Sequence, residues 1–285
     1  MSGPDDRVLP ATRWVAIAII PFLVIAAFLL FAFPTRTGEL FAWPIDPPLT
    51  AYVLASAYVG GIWFFIGVVR ANQWHRVRHG FPAVVVFAGA LLAATLLHLD
   101  RFSQNLSFFT WITLYATTPF VVAVLAVAQH RRDPRTPAAV DVDLPLIARI
   151  GLASIGGAAL LVGAAMFVFP DAAADVWAWQ LTPLTAQVTG SVLTLTGVVN
   201  LALLVDARWT SFRLLFQAQL LSLAAIVVSV AARWGDLLWD RASTPAFLVL
   251  IAAAVVSYGG FTLWCESRLR EAARRTLEGV SARRQ

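Results

Sequence analysis

The stretch His98-Leu99-Asp100-Arg101-Phe102 puts an imidazole, a carboxylate and a guanidinium within four positions. An imidazole beside a carboxylate is the pairing of a general acid–base couple or a proton relay. Here the pair falls where an apolar run meets polar sequence. At such a helix end, hydrogen bonding to a neighbouring helix is the commoner role.

A second chemical signature occurs twice. FAWPIDPPLTA runs from Phe41 to Ala51, and VWAWQLTPLTA runs from Val176 to Ala186. Each holds a Trp (Trp43, Trp179), a short polar residue ahead of proline (Asp46, Thr182) and a Thr (Thr50, Thr185). Proline lacks an N–H and restricts the residue before it, so no helix runs straight through. Asp46 and Thr182 are suited to cap the helix that follows, with proline in its first turn. One reading is a structural corner: an aromatic anchor at headgroup depth, a stop, and a capped re-entry. The other is a vestibule, in which two such corners turn helix N-termini, with free N–H groups and partial positive charge, toward a polar or anionic group. Asp100, Arg101, Arg233, Asp236 and Asp240 lie near the same depth in the sequence, and their acids oppose a simple anion site. The candidate ligand-binding set is Trp43, Asp46, Thr50, His98, Asp100, Arg101, Trp179, Thr182, Thr185, Arg233, Asp236 and Asp240; no catalytic residue is assigned.

Other chemistries lack their residues. Haem between paired imidazoles needs two membrane-embedded His, and only His98 lies at a suitable place. His75 and His79 stand at i, i+4 in a short basic loop with no carboxylate adjacent in sequence, and they read as interfacial residues. No zinc, phosphate-loop or dinucleotide pattern occurs, so neither metal nor cofactor is expected. Cys265 is a lone small apolar filler, and Asn105-Leu106-Ser107 fits a short, unspecific glycosylation pattern.

The elements that hold these residues follow from composition. Of 285 residues, 59% are hydrophobic and 13% charged, with mean hydropathy +0.76. Soluble domains carry about 25% charged residues, so lipid is the expected solvent for most of this chain. Roughly 20 apolar residues cross a bilayer. Continuous runs of that length predict an all-α polytopic protein with eight spans: Trp14–Phe33, Thr50–Val69, Phe81–His98, Phe108–Gln129, Leu146–Phe169, Leu184–Val205, Leu214–Ala232 and Pro245–Trp264. The first reads as a retained helix and not a cleaved signal.

The 21 basic residues are all Arg. With both termini inside, seventeen fall on the inner side and four outside: Arg36, Arg101, Arg233 and Arg241. This asymmetry predicts cytoplasmic termini in a cell membrane, here a bacterial-type inner membrane. The high pI of 10.3 is then a topology signal, with anionic headgroups as partner and no role for nucleic acid.

The two Trp motifs belong to a longer match. Phe-x-Phe-Pro precedes both (Phe31 to Pro34, Phe167 to Pro170), Trp74 and Trp209 follow at equal distance, and Arg78, Phe81 and Ala83 match Arg213, Phe216 and Ala218. Two parallel four-helix repeats are expected, 1–138 and 139–285, related by a pseudo-two-fold axis along the membrane normal. Paired glycines (Gly60-Gly61, Gly156-Gly157, Gly259-Gly260) predict close helix packing. The tail from Glu266 reads as a cytoplasmic helix with Glu266–Arg270 and Glu271–Arg275 pairs. The functional expectation is a non-enzymatic scaffold or accessory membrane subunit, with other membrane subunits or a second copy as partner. Alternatives are a small-molecule or ion binding or transport protein with a site at the outer repeat interface, and a membrane enzyme on a lipid-linked substrate, with His98 and Asp100 as acid and base.

Overall fold

The computed structural model describes residues 6–133 and 140–282. Ten α-helices occur among them: α1 (Pro10–Ala32), α2 (Thr37–Leu40), α3 (Pro48–Arg70), α4 (Gly80–Leu97), α5 (Leu106–His130), α6 (Leu146–Val168), α7 (Pro170–Val176), α8 (Pro183–Leu201), α9 (Trp209–Ala232) and α10 (Ser243–Ala282). Eight of them, all but α2 and α7, are long and apolar enough to cross a membrane. Each overlaps one predicted span. The eighth span and the tail form one helix of 40 residues.

Local sequence explains the helix starts. Proline opens α1, α3, α7 and α8, where its missing N–H costs nothing. Asn105 caps α5 by accepting the Phe108 N–H at 2.8 Å. Thr182 and Thr185 form a reciprocal capping box on α8.

Lipid is as apolar as leucine, so burial does not drive membrane helices together; close packing and internal hydrogen bonds do. α6 lies on α8 through reciprocal glycines. A Cβ on Gly163 would stand 2.6 Å from the Gly190 carbonyl oxygen, and one on Gly190 would stand 2.6 Å from that of Gly163. α3 approaches α9 as closely, since a Cβ on Gly60 would come 2.8 Å from the Ala218 carbonyl oxygen. Gly259 and Gly260, by contrast, face open space within the chain. Buried polar clasps complete the interior. The Tyr58 and Tyr115 hydroxyls are 3.1 Å apart, and Asn200 Nδ2 donates to the Leu152 carbonyl (3.0 Å) and to the Tyr258 hydroxyl.

The helices pair in a definite pattern. α1 packs on α3 and α4 on α5; α6 packs on α8 and α9 on α10. Between these groups α3 packs on α9, α4 on α8, and α3 more lightly on α8. α3 and α8 are the central helices, each 56% buried along its apolar window, whereas α10 is 11% buried. The outward surface carries Trp14, Phe28, Phe120, Val124, Leu161, Val249 and Leu250, the reverse of a water-facing exterior.

Candidate functional site

The two Trp corners follow α1–α2 and α6–α7, and each is pinned to a later loop of its own half. Ser103 N–H donates to the Ala42 carbonyl and Leu238 N–H to the Ala178 carbonyl, both at 2.9 Å. The backbones beside the two tryptophans are therefore held, and their rings are packed. Trp43 is 1% exposed against Phe41 (5.3 Å between ring centroids), Phe102 (5.1 Å) and Trp111 (4.9 Å). Trp179 is fully buried against Trp177 (5.3 Å) and Phe247 (5.1 Å).

Several candidates meet where α3 begins. Trp179 Nε1 donates to the buried Thr50 hydroxyl at 2.9 Å. Asp236 Oδ2 accepts the Leu49 N–H at 3.0 Å, so the α3 N-terminus is capped by a carboxylate from the α9–α10 connection. Arg233 holds that carboxylate in place through Nε (3.1 Å) and Nη2 (2.9 Å). Hydrogen bonding to Asp236 pushes the guanidinium pKa up. The expected cap, Asp46, is exposed and makes no cap bond; Pro47 occupies the N-cap position and Asp236 supplies the acceptor.

His98 meets α8 instead, with Nε2 3.1 Å from Gln187 Oε1; its neighbour Asp100 pairs with Arg101 (3.1 Å), both well exposed. Thr185 is buried within the capping box, and Thr182 and Asp240 are exposed at loop positions. The structure thus joins Thr50, Trp179, Arg233 and Asp236, sets His98 on Gln187, encloses Trp43 in its own aromatic nest, and leaves Asp46, Asp100, Arg101, Thr182 and Asp240 on the surface.

The opposite, arginine-rich end holds a buried ionic cluster that sequence reasoning missed. Asp206, in the α8–α9 connection, accepts from Arg78 Nη2 (2.6 Å), His79 Nε2 (2.9 Å) and Arg208 Nε (3.0 Å). Arg78 Nη1 also reaches Asp133 at 3.1 Å. The His79 ring stacks on Phe212 at 4.7 Å. Burial alone would raise the Asp206 pKa, but hydrogen bonds from His79, Arg208 and Arg78 hold it well below the usual carboxylate range. Burial lowers His79, with Arg78 and Arg208 adding to the effect and Asp206 only partly opposing it. Burial and the two guanidiniums favour the neutral ring, whose Nε2 lies 3.2 Å from Arg78 Nε as well as 2.9 Å from Asp206 Oδ2.

His75, read as a loop residue, is likewise buried and paired: its Nδ1 is 2.6 Å from Asp6 Oδ2, and its N–H donates to Asp6 Oδ1 at 3.1 Å. Glu266 does not pair with Arg270. It binds Arg213 (2.6 and 2.7 Å) and accepts the Trp209 indole N–H (3.1 Å), tying α10 to α9; the Glu271–Arg275 pair forms at 3.8 Å. Apart from Arg208, two residues from Asp206, the missed partners are distant in sequence; the one local signal that could have pointed to them is Asp206 itself, an acid in a very short connection between two apolar runs. Searches for resemblance found no matching protein-family model, no matching curated protein and no matching solved structure.

Proposed function

We propose that this chain is an integral membrane scaffold or accessory subunit. It is built from two four-helix units, 1–138 and 139–285, in the same orientation, with both termini on the cytoplasmic side. The packing supports the duplication. Exchanging the first four long helices for the second four turns α1–α3 into α6–α8, α4–α5 into α9–α10, and α3–α9 into α8–α4. The paired corner bonds at Ala42 and Ala178 obey the same exchange. So do the edge contacts of Trp74 with Phe81 and Trp209 with Phe216, and the Arg7–Gln73 and Asp143–Arg208 bridges.

One observation carries the scaffold reading: the corners that would frame an outer vestibule are filled by their own tryptophans, and Trp179 is bonded across to Thr50. A transport path between the units would have to part that contact and the Gly60 approach of α3 to α9. The test is labelling and flux on one preparation. In a Cys265→Ala background, Asp46→Cys and Asp175→Cys should react with an impermeant maleimide from one side and Arg131→Cys from the other. Proteoliposomes should show no uptake of ions or small solutes above empty vesicles. Reaction of the first two positions from opposite sides removes the duplication reading, and protein-dependent uptake removes the scaffold.

A second reading, ligand binding at the outer rim, rests on the exposed Asp46, Asp100, Thr182 and Asp240, in the connections that precede α3, α5, α8 and α10. It predicts a ligand whose binding is lost when Asp46 and Asp240 are both neutralised. The lipid-linked enzyme reading requires His98 to leave Gln187 for Asp100.

A further inference from the structure

α1 and α5 are clasped at the arginine-rich end and part beyond it. Gln129 makes the clasp: its Oε1 accepts from the Leu9 N–H (2.7 Å) and the Thr12 hydroxyl (3.3 Å), and its Nε2 donates to the Arg7 carbonyl (3.1 Å). Further along, the two helices enclose an open groove of about 530 Å³, walled by Val15, Ala18 and Phe22 on α1 and by Thr113, Thr117 and Val121 on α5. Both walls lie within helices apolar enough to cross a membrane. A bilayer component is therefore what reaches the groove.

Chemistry and size narrow the occupant. Thr117, at the middle of the α5 wall, donates its hydroxyl to the Thr113 carbonyl (2.8 Å) and lies 3.2 Å from that of Leu114, so its own polar group is already satisfied within α5. A helix about 10–12 Å across and 30 Å long is a cylinder of roughly 2,500 Å³, several times the groove, and seating one fully would strain the Gln129 clasp. A single acyl chain lies along the groove without parting the helices. Charge selects the headgroup. Beyond Val121 the same side of α5 exposes Val124 and Val127, and then Arg131 and Arg132. Both guanidiniums are exposed and without a carboxylate partner among the described residues. Arg131 lies ten residues beyond Val121, about 15 Å along a helix, which separates a headgroup from the middle of its chain.

We propose that this site holds one phospholipid with an anionic headgroup, its acyl chain in the α1–α5 groove and its phosphate on Arg131 and Arg132. The proposal rests on the membrane reading above but not on which side the termini face.

The test is native mass spectrometry of the full chain with phosphatidylglycerol or phosphatidylcholine added. The wild type should keep one phosphatidylglycerol at a collision energy that strips phosphatidylcholine. Each surface arginine near an anionic headgroup contributes appreciably to attraction, so Arg131→Gln with Arg132→Gln should weaken retention at least tenfold. Ala18→Phe and, separately, Thr113→Trp should do the same by filling the groove at exposed positions. Arg268→Gln with Arg275→Gln, on α10, should change nothing. Equal retention of the two lipids, or equal loss in the α10 control, overturns the proposal. A shift between monomer and dimer in the groove-filled variants, without lipid loss, would assign the groove to a second copy and also overturn it. Maleimide labelling reads orientation separately, so a failure there leaves the lipid result interpretable.

Discussion

Thr50 and Asp206 carry contacts between distant parts of the chain at opposite ends of the bundle. Thr50→Val removes the acceptor of the Trp179 indole N–H and leaves a buried donor unpaired. A loss of about 1–3 kcal/mol is expected, read as a lower unfolding midpoint in detergent. Trp43→Phe should cost less than Trp179→Phe, because the Trp43 indole nitrogen has no bond to lose. Asp206→Asn leaves Arg78 and Arg208 facing one another with their shared carboxylate gone; breaking such a buried pair costs about 3–5 kcal/mol. His79 supplies a pH dependence. Its folded pKa lies below the ordinary 6.5, so the unfolded chain takes up a proton first as pH falls. Stability from His79 is complete above 6.5 and is lost as pH drops from there through the lower folded value. Asp206, held low, keeps its contribution throughout that range. The melting midpoint should fall between pH 7.5 and 5.5, and fall less in His79→Gln.

Glycine matters for whole elements where two helices share a surface. Gly163→Val would drive a branched side chain into the Gly190 carbonyl and separate α6 from α8, at about 1–3 kcal/mol or more. Gly259→Ala meets nothing within 4 Å, and helix propensity favours alanine by up to about 1 kcal/mol. The paired measurement is thermal unfolding of both variants, with opposite signs expected. Both positions lie inside long apolar runs, and the Gly259-Gly260 pair would be the more obvious packing signal of the two. The apolar runs were legible because a spanning helix must satisfy its own backbone within a fixed length of apolar residues. Which glycine meets another helix was not, since that depends on the rotation of each helix about its own axis.

Across the whole molecule, the α3–α9 and α4–α8 contacts should hold the two halves together without the linker. Fragments 1–133 and 140–285, expressed together with one affinity tag, should copurify. Asp206→Asn should lower the yield of the untagged half, because Arg78 and Asp133 belong to one fragment and Asp206 and Arg208 to the other. Copurification unaffected by that change would place the joining energy in the other contacts between the halves, among them Gly60 with Ala218, Thr50 with Trp179 and Leu49 with Asp236.

Number, type and approximate position of the long helices follow from residue composition and run length, because lipid accepts little else. The Pro-Thr and Trp corners were visible for the same reason: proline and capping act within a few residues of themselves. The partners of the charged groups were a different matter. Asp46 looked like the cap of α3, yet the carboxylate that performs that task is Asp236, from nearly two hundred residues away. His79 looked like a loop residue, yet burial and Asp206 define it. Such pairings depend on which helix ends are brought together, and nothing local distinguishes one surface carboxylate from another until the bundle has closed around it.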